Sequence, residues 1–363
     1  MLVYYIIGLL FLLLSILYYL EIIPDSSLLI VFILFILSFF IVGCRYEIGA
    51  DWSNYCDFYY SGYAADKTSG TLEPIFTLIR FVCYNLGLSH VFFFAFISFF
   101  SLYLIYPASK MLGVNNVYLV YLVYFCLFFL NYQFNIIRHG ALASCIMLSY
   151  AYRSVENNQK AVLWAAIGSG FHIVGILFLL LMFFIDIELS RLKAFTIIII
   201  SFVFYYLGIG ERLLSYFPML ENMDRLAGYF DTNRWESYGL SIGLVFNVGI
   251  ILYFFIFRFG EYYESRSTRI MVNCLLIGVV CSLTLNVFGA IVSRVSNLMN
   301  VSLVFIWPLL LQGIYYKTNR CIMCVLISIY FIMYFGKALA KDEMTGESVM
   351  YPYKMRIEQV IRY

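Results

Sequence analysis

The sequence predicts an all-α polytopic integral membrane protein with about 10–12 transmembrane helices, and three observations carry that prediction. Charged residues make up 12% of the 363 positions, about half the ~25% of a soluble domain, too few to cover a surface that faces water. Hydrophobic residues make up 63%, and the mean hydropathy is +0.89. The apolar residues recur in long runs rather than in one rich core. A span needs ~20 apolar residues, so ten to twelve of them take roughly 200–240 residues. Soluble enzymes, nucleic-acid binders and disordered chains are excluded. The lipid bilayer is the expected environment, and no nucleic acid is expected as a partner.

The apolar runs are 2–20, 28–43, 90–106, 114–130, 136–152, 195–209, 240–257, 270–288, 297–315 and 321–336. No Lys or Arg precedes Arg45, so the first run lacks the basic flank of a signal peptide and reads as a retained span. Two segments are irregular. Residues 72–88 are short and carry Glu73, Arg80 and Asn85; residues 160–185 are broken by Gly168-Ser169-Gly170-Phe171-His172. A break at membrane depth is tolerated only where it meets protein or a watery cavity, so 160–185 reads as two half-helices with His172 near the turn. The nine cysteines lie mostly in apolar runs, where a thiol packs as a small hydrophobe. Cys321 and Cys324 fit that reading, whereas Cys44 and Cys56 flank a polar loop and would pair only in an oxidising space.

Loop charges set the orientation. One alternating arrangement places Lys110, Arg153, Lys160, Arg191, Lys193, Arg258, Arg266, Arg269, Lys317 and Arg320 in the cytoplasm. The chain then forms one transmembrane domain over 1–363, with outer-face loops 44–71 and 210–239 and an extramembrane tail 337–363. Before the tail, the basic residues left outside are Arg45, Arg80, Arg138, Arg212, Arg225, Arg234 and Arg294, with Lys67 the only lysine. Arginine offers a fixed fork of donors that matches phosphate bidentately. The outer face therefore reads as built for an anionic ligand, against the alternative that each arginine pairs with a loop carboxylate.

Several clusters could carry chemistry. Arg45, Asp51 and Tyr55 stand where a span gives way to a polar loop, with Asp51 and Tyr55 four residues apart on one helical face; interfacial snorkelling is the plain alternative. Glu73, Thr77, Arg80 and Tyr84 form one polar stripe, with Thr71 as a helix cap, or else Glu73 and Arg80 simply pair. Asn131, Asn135 and Arg138 share a face at the start of a long apolar helix, whose Gly140, Ala141, Ala143 and Ser144 permit close approach of another helix. An arginine one turn inside such a helix is costly and usually has an ionic partner or ligand. His172 can exchange a proton near neutral pH; His90 and His139 are weaker candidates. Arg294 begins another span from the outside. The loop 210–239 interleaves Arg234 and Trp235 with further arginines and aromatics, a surface for sugar rings or an interfacial anchor.

Arg45, Gly49, Asp51 and Tyr55 (R-x-x-x-G-x-D-x-x-x-Y), then Glu73-Pro74, Asn135 with Arg138, Phe171-His172, Arg294 and the terminal Tyr351-Pro352-Tyr353 together resemble the EpsG-like branch of the Wzy-type bacterial O-antigen and capsule polysaccharide polymerases. The resemblance runs in order along nearly the whole chain, through short motifs. His139 stands where glutamine is usual, and Glu21–Ser27 lacks the basic residues often found between the first two spans. The resemblance implies a multi-pass protein of the bacterial inner membrane that joins undecaprenyl-pyrophosphate-linked oligosaccharide repeat units at the periplasmic face. It leaves room for a chain-length regulator as partner. It further implies a pyrophosphate site of Arg138, Arg294, Arg45 and Arg80, proton transfer by His172 or Asp51, and sugar-binding or supporting roles for Tyr55, Glu73, Asn135, Arg234 and Trp235. No metal-ligand cluster stands out, and neither metal nor cofactor is expected. The competing readings are a flippase for the same lipid-linked unit, which would favour two related halves, and a membrane acyltransferase of surface glycans, for which His172 lacks an adjacent acid.

Overall fold

The architecture follows from apolar helices that satisfy their own backbone hydrogen bonds, as lipid requires. The computed structural model describes residues 2–61, 73–209, 240–286, 289–339, 350 and 353–360. Its helices are α1 (Leu2–Tyr19), α2 (Ser27–Ile36), α3 (Trp52–Ser61), α4 (Pro74–Asn85), α5 (His90–Met111), α6 (Val117–Tyr124), α7 (Ile137–Ser154), α8 (Asn158–Phe171), α9 (Gly175–Leu181), α10 (Arg191–Tyr206), α11 (Ile242–Phe257), α12 (Phe259–Glu264), α13 (Arg266–Thr284), α14 (Gly289–Asn300), α15 (Leu303–Gln312) and α16 (Lys317–Ala338). A single bridge, Arg45 with Met355, is the only extended pairing among the described residues.

Among the described residues, five stretches are long and apolar enough to cross a membrane: Leu2–Tyr19, His90–Met111, Arg266–Thr284, Val292–Gln312 and Lys317–Gly336. Three more, Ser27–Gly43, Val117–Phe129 and Ile242–Phe257, are apolar but shorter. Helix α7 is as long as α1, yet Arg138, His139, Ser144, Ser149 and Arg153 lower its apolarity. The expected break in 160–185 is present. Helix α8 stops at Phe171, His172 is extended with φ −155°, and α9 resumes at Gly175. The 72–88 segment forms α4, with Glu73 in the capping position and Pro74 in its first turn, where a missing N–H costs nothing. Thr71 lies outside the described residues.

The described chain forms two compact units, Met1–Leu179 with Trp307–Tyr363, and Leu180–Ile306. In the first, α7 packs against α5 and α8, and small residues set the approach. A Cβ on Gly168 would stand 2.8 Å from Leu142 Cδ1, and one on Gly43 would stand 2.9 Å from the Val91 carbonyl. Helix α5 has His90 at one end and Lys110 at the other, ~30 Å apart at 1.5 Å per residue. Near Lys110 the loop after α1 is tied down: Lys110 pairs with Asp25, Lys317 with Glu21 at 2.6 Å, and Tyr118 donates to the Pro24 carbonyl at 3.0 Å. Near His90 lie the 44–55 segment and the returning tail. Within this unit, Lys110 and Lys317 thus stand at the opposite end from Arg45. In the second unit, Asp186 accepts from Arg266 at 2.9 Å and from Arg269 at 3.4 Å, so these two arginines are occupied by a carboxylate. Cys44 and Cys56 are both free thiols.

Candidate functional site

The site of the first unit begins with an interruption in the chain. After α6 the backbone widens into π-helical turns at Phe125–Phe129 and Asn131–Asn135, then breaks at Ile136 (φ −105°, ψ 61°) before α7 begins. The sequence suggested one continuous face of Asn131, Asn135 and Arg138. The wide turn and the break divide it. Helix α7 begins only at Ile137, and the Asn135 side chain turns away to accept from the Ala50 N–H at 2.8 Å.

The carbonyls exposed by that break are met by Arg45. Its side chain is fully buried, with Nη1 donating to the Gln133 carbonyl and Nη2 to that of Phe134 at 3.1 Å. The guanidinium lies 4.9 Å from the Phe94 ring centroid and 5.0 Å from that of Phe134. Burial pulls it down to about 10, so it remains charged at neutral pH. Arg45, expected at the pyrophosphate, here donates to two backbone carbonyls and braces the turn. A backbone that leaves carbonyls unpaired away from water needs donors, and this arginine provides two.

Arg138 is placed differently. The second residue of α7 and partly exposed, it donates from Nη1 to Glu73 Oε2. Its guanidinium carbon stands 5.8 Å from the centroids of both Tyr55 and Phe76. Glu73 is 6% exposed and also holds the start of α4, where its carbonyl accepts from the Thr77 N–H and Oγ1, both at 3.1 Å. A buried carboxylate requires a partner, and Arg138 supplies it. Tyr55 is buried between Phe76 and Phe94, at centroid distances of 6.0 and 6.4 Å. That burial pushes its hydroxyl upward against an opposing pull from Arg138.

The glycine of the 45–55 motif has a local cause. Gly49 has φ +95°, and a Cβ there would stand 2.6 Å from the Phe134 carbonyl oxygen. Only glycine lets this loop lie against the π-turn. Asp51 follows, half-buried just before α3; its carbonyl accepts from the Tyr55 N–H at 3.0 Å, and its carboxylate from Asn54 Nδ2 at 3.4 Å. Arg80, one helical stripe beyond Glu73, donates from Nε to the Tyr59 carbonyl at 2.9 Å and lies 4.7 Å from the Tyr84 ring.

Helix α8 brings in His172. A Cβ on Gly170 would meet Ile75 Cδ1 at 2.6 Å, so α8 reaches α4 through that glycine. His172 is 6% exposed, its Nδ1 accepts from the Val174 N–H at 3.3 Å, and its ring meets His139 edge-on at 5.2 Å. The corner shared by α3, α4, α7 and α8 therefore gathers a carboxylate, a guanidinium, a phenol and two imidazoles. This set can hold an anion and move a proton. Among the described residues, no three His, Cys, Asp or Glu side chains converge as a metal site would need.

Arg294 lies half-buried on α14 in the second unit. Arg234 and Trp235 lie outside the described residues. Sequence reasoning missed two features. His139 pairs with His172, which the unremarkable dipeptide Arg138-His139 gave no reason to expect. The tail docks at this end: the Tyr46 N–H donates to the Lys354 carbonyl at 3.0 Å, the Arg356 N–H to that of Cys44 at 2.9 Å, and the Tyr353 hydroxyl to those of Phe40 and Ile41 at 3.0 Å.

The sequence pattern described as the EpsG family, whose members are Wzy-like polysaccharide-polymerase-type membrane proteins, matches residues 28–355. No curated protein and no solved structure matches the chain. With that match spanning nine-tenths of the chain on a set of membrane-crossing helices, the protein belongs to the EpsG family and is a membrane protein of polysaccharide biosynthesis.

Proposed function

We propose that the chain is a glycosyltransferase that polymerises undecaprenyl-pyrophosphate-linked repeat units of O-antigen or a related surface glycan at the periplasmic face of the inner membrane. The observation that carries the reading is the Arg138–Glu73 pair beside Tyr55 and the His139–His172 contact, in a chain of this family. The donor sugar is already activated by its pyrophosphate, so no nucleotide is needed. The acceptor hydroxyl oxygen attacks the anomeric carbon, the bond from that carbon to the pyrophosphate oxygen breaks, and its electron pair leaves with the pyrophosphate. The hydroxyl proton passes to a carboxylate.

Arg138 stabilises the departing charge, which a preorganised cation in a water-poor site does well. Glu73 and the rings of Tyr55 and Phe76 hold it in place. Arg294, on the second unit, is the other arginine that the sequence points to for an anionic ligand. Arg80, with Nε on the Tyr59 carbonyl, supports α3 beside them, and Arg45 acts through the backbone it braces. His172 spends its Nδ1 lone pair on the Val174 N–H, so its neutral ring carries the proton on Nε2 and acts as a donor. The base is then Asp51. Tyr55, Asn135, Arg234 and Trp235 serve the sugars. With arginines supplying the positive charge, polymerisation is expected to persist in EDTA-washed membranes.

The test replaces Arg138→Ala, Arg294→Ala and His172→Ala in the producing cell and reads surface glycan length on a gel. Short, single-repeat glycan at normal protein level is the expected result, and three normal ladders overturn the assignment. Repeat units held on the cytoplasmic side would indicate a flippase instead.

A further inference from the structure

A hollow of about 460 Å³ lies at the other end of the first unit and is lined by Tyr18, Tyr19, Glu21, Asn115, Gln312 and Arg320 among others. Helix α1 measures the separation. Tyr4 donates to the Met350 carbonyl of the tail at 3.2 Å, and Tyr19 lies ~22 Å farther along the axis at 1.5 Å per residue. This volume falls in the ~300–1,000 Å³ range of small-molecule sites.

Two donors meet there without a protein acceptor. Arg320 is anchored through Nε, which donates to the Ile314 carbonyl at 2.5 Å, and its two terminal nitrogens have no partner among the described residues. Glu21, the carboxylate on the rim, is taken by Lys317 at 2.6 Å. Tyr19 is 5% exposed and its hydroxyl is buried with no hydrogen-bond partner. The Asn116 amide beside it can offer the phenol oxygen only its second Nδ2 proton, the first going to the Ser15 carbonyl at 3.1 Å, and its Oδ1 is taken by the Leu119 N–H at 3.0 Å, so the Tyr19 hydroxyl proton finds no acceptor there. Leaving a buried donor unmet is costly, and a fixed guanidinium fork selects phosphate-like geometry. Adjoining residues Leu20, Ile22, Tyr315 and Tyr316 are all exposed, the mixture of apolar and aromatic side chains found where lipid tails give way to headgroups.

We propose that this hollow binds the phosphodiester headgroup of a bilayer phospholipid, with phosphate oxygens on Arg320 and the Tyr19 hydroxyl and the acyl chains along the exposed apolar residues beside it. The site is separate from the Arg138 corner and does not depend on the polymerase reading.

The experiment uses the full chain, purified in detergent and stripped of lipid, and follows its melting midpoint and its bound mass by native mass spectrometry. Dioleoyl phosphatidylglycerol is expected to bind saturably and raise the midpoint. Tyr19→Phe removes a hydroxyl whose proton no protein group accepts, so the fold is kept while affinity falls about tenfold. Arg320→Lys keeps the charge, loses the fork, and is expected to weaken binding at least as much. Wild-type affinity in both variants overturns the proposal. An equal response to dioleoylglycerol overturns it as well, because the headgroup would then be irrelevant. A midpoint rise with inorganic phosphate alone would assign the site to a free anion and overturn the lipid assignment.

Discussion

Glu73 and Arg138, 65 residues apart in the chain, form an ion pair at the starts of α4 and α7. The contact fixes two helix ends against each other. It also fixes the direction of the arginine, whose long side chain would otherwise sample many rotamers. Because Glu73 is nearly buried and Arg138 is partly exposed, the carboxylate depends on the arginine more than the arginine depends on it.

Glu73→Gln should therefore expose the two contributions separately. The amide keeps an acceptor but loses the charge, and breaking such a part-buried pair is expected to destabilise the protein by about 1–3 kcal/mol. Arg138→Lys keeps the charge and loses the fork, so protein abundance should recover while glycan length stays short. Membrane abundance and the glycan ladder, measured on the same cells, check this; full-length ladders with Arg138→Lys would refute the role of the fork.

Arg45 is predicted to behave as a structural residue. Arg45→Met leaves the Gln133 and Phe134 carbonyls without donors in a dry interior, at a cost of about 1–3 kcal/mol each. The melting midpoint in detergent should fall, and glycan length should fall only in proportion to the protein lost. Normal melting with lost polymerisation would return Arg45 to the ligand site.

How much of this was legible follows the range of each signal. The all-α membrane class came from composition, and the break at His172 from a run of small residues, both local. The pairing of Glu73 with Arg138 rather than with Arg80 was not legible, because i and i+7 on one stripe look like partners until α7 is brought alongside. Nor was the brace at Arg45, since its need arises from a π-turn at 131–135 that no periodicity announces. The docked tail was equally hidden. Tyr353, Lys354 and Arg356 look like a polar ending, and only the extended backbone at 44–46 gives them something to pair with.

Gly49→Ala tests the contact between the 45–55 loop and the π-turn. A positive φ strains any side chain there, and the added methyl would press on the Phe134 carbonyl, a cost of about 1–3 kcal/mol. The loop should swing away and release the Ala50–Asn135 bond. A cysteine placed at Asn54 is expected to label faster with a membrane-impermeant thiol reagent in the Ala variant than in the Gly49 background. Equal labelling rates would mean that the loop tolerates the methyl in place.

The tail is predicted to be part of the same brace rather than a free appendage. Its backbone pairs with Cys44 and Tyr46 on either side of Arg45, and its Tyr353 hydroxyl serves two carbonyls of the π-helical turn Leu37–Gly43 that follows α2. Arg356 adds a guanidinium 3.5 Å from the Tyr46 ring centroid, and Gln359 reaches His90 at 3.3 Å. Ending the chain at residue 349 removes all of these at once and should lower the melting midpoint as far as Arg45→Met does. Because both changes weaken one structure, combining them should cost much less than the sum of the two. Tyr353→Phe, which leaves the backbone pairing intact, should cost only about 1–2 kcal/mol. Additive losses in the combined variant would mean that the tail and Arg45 stabilise separate parts of the fold.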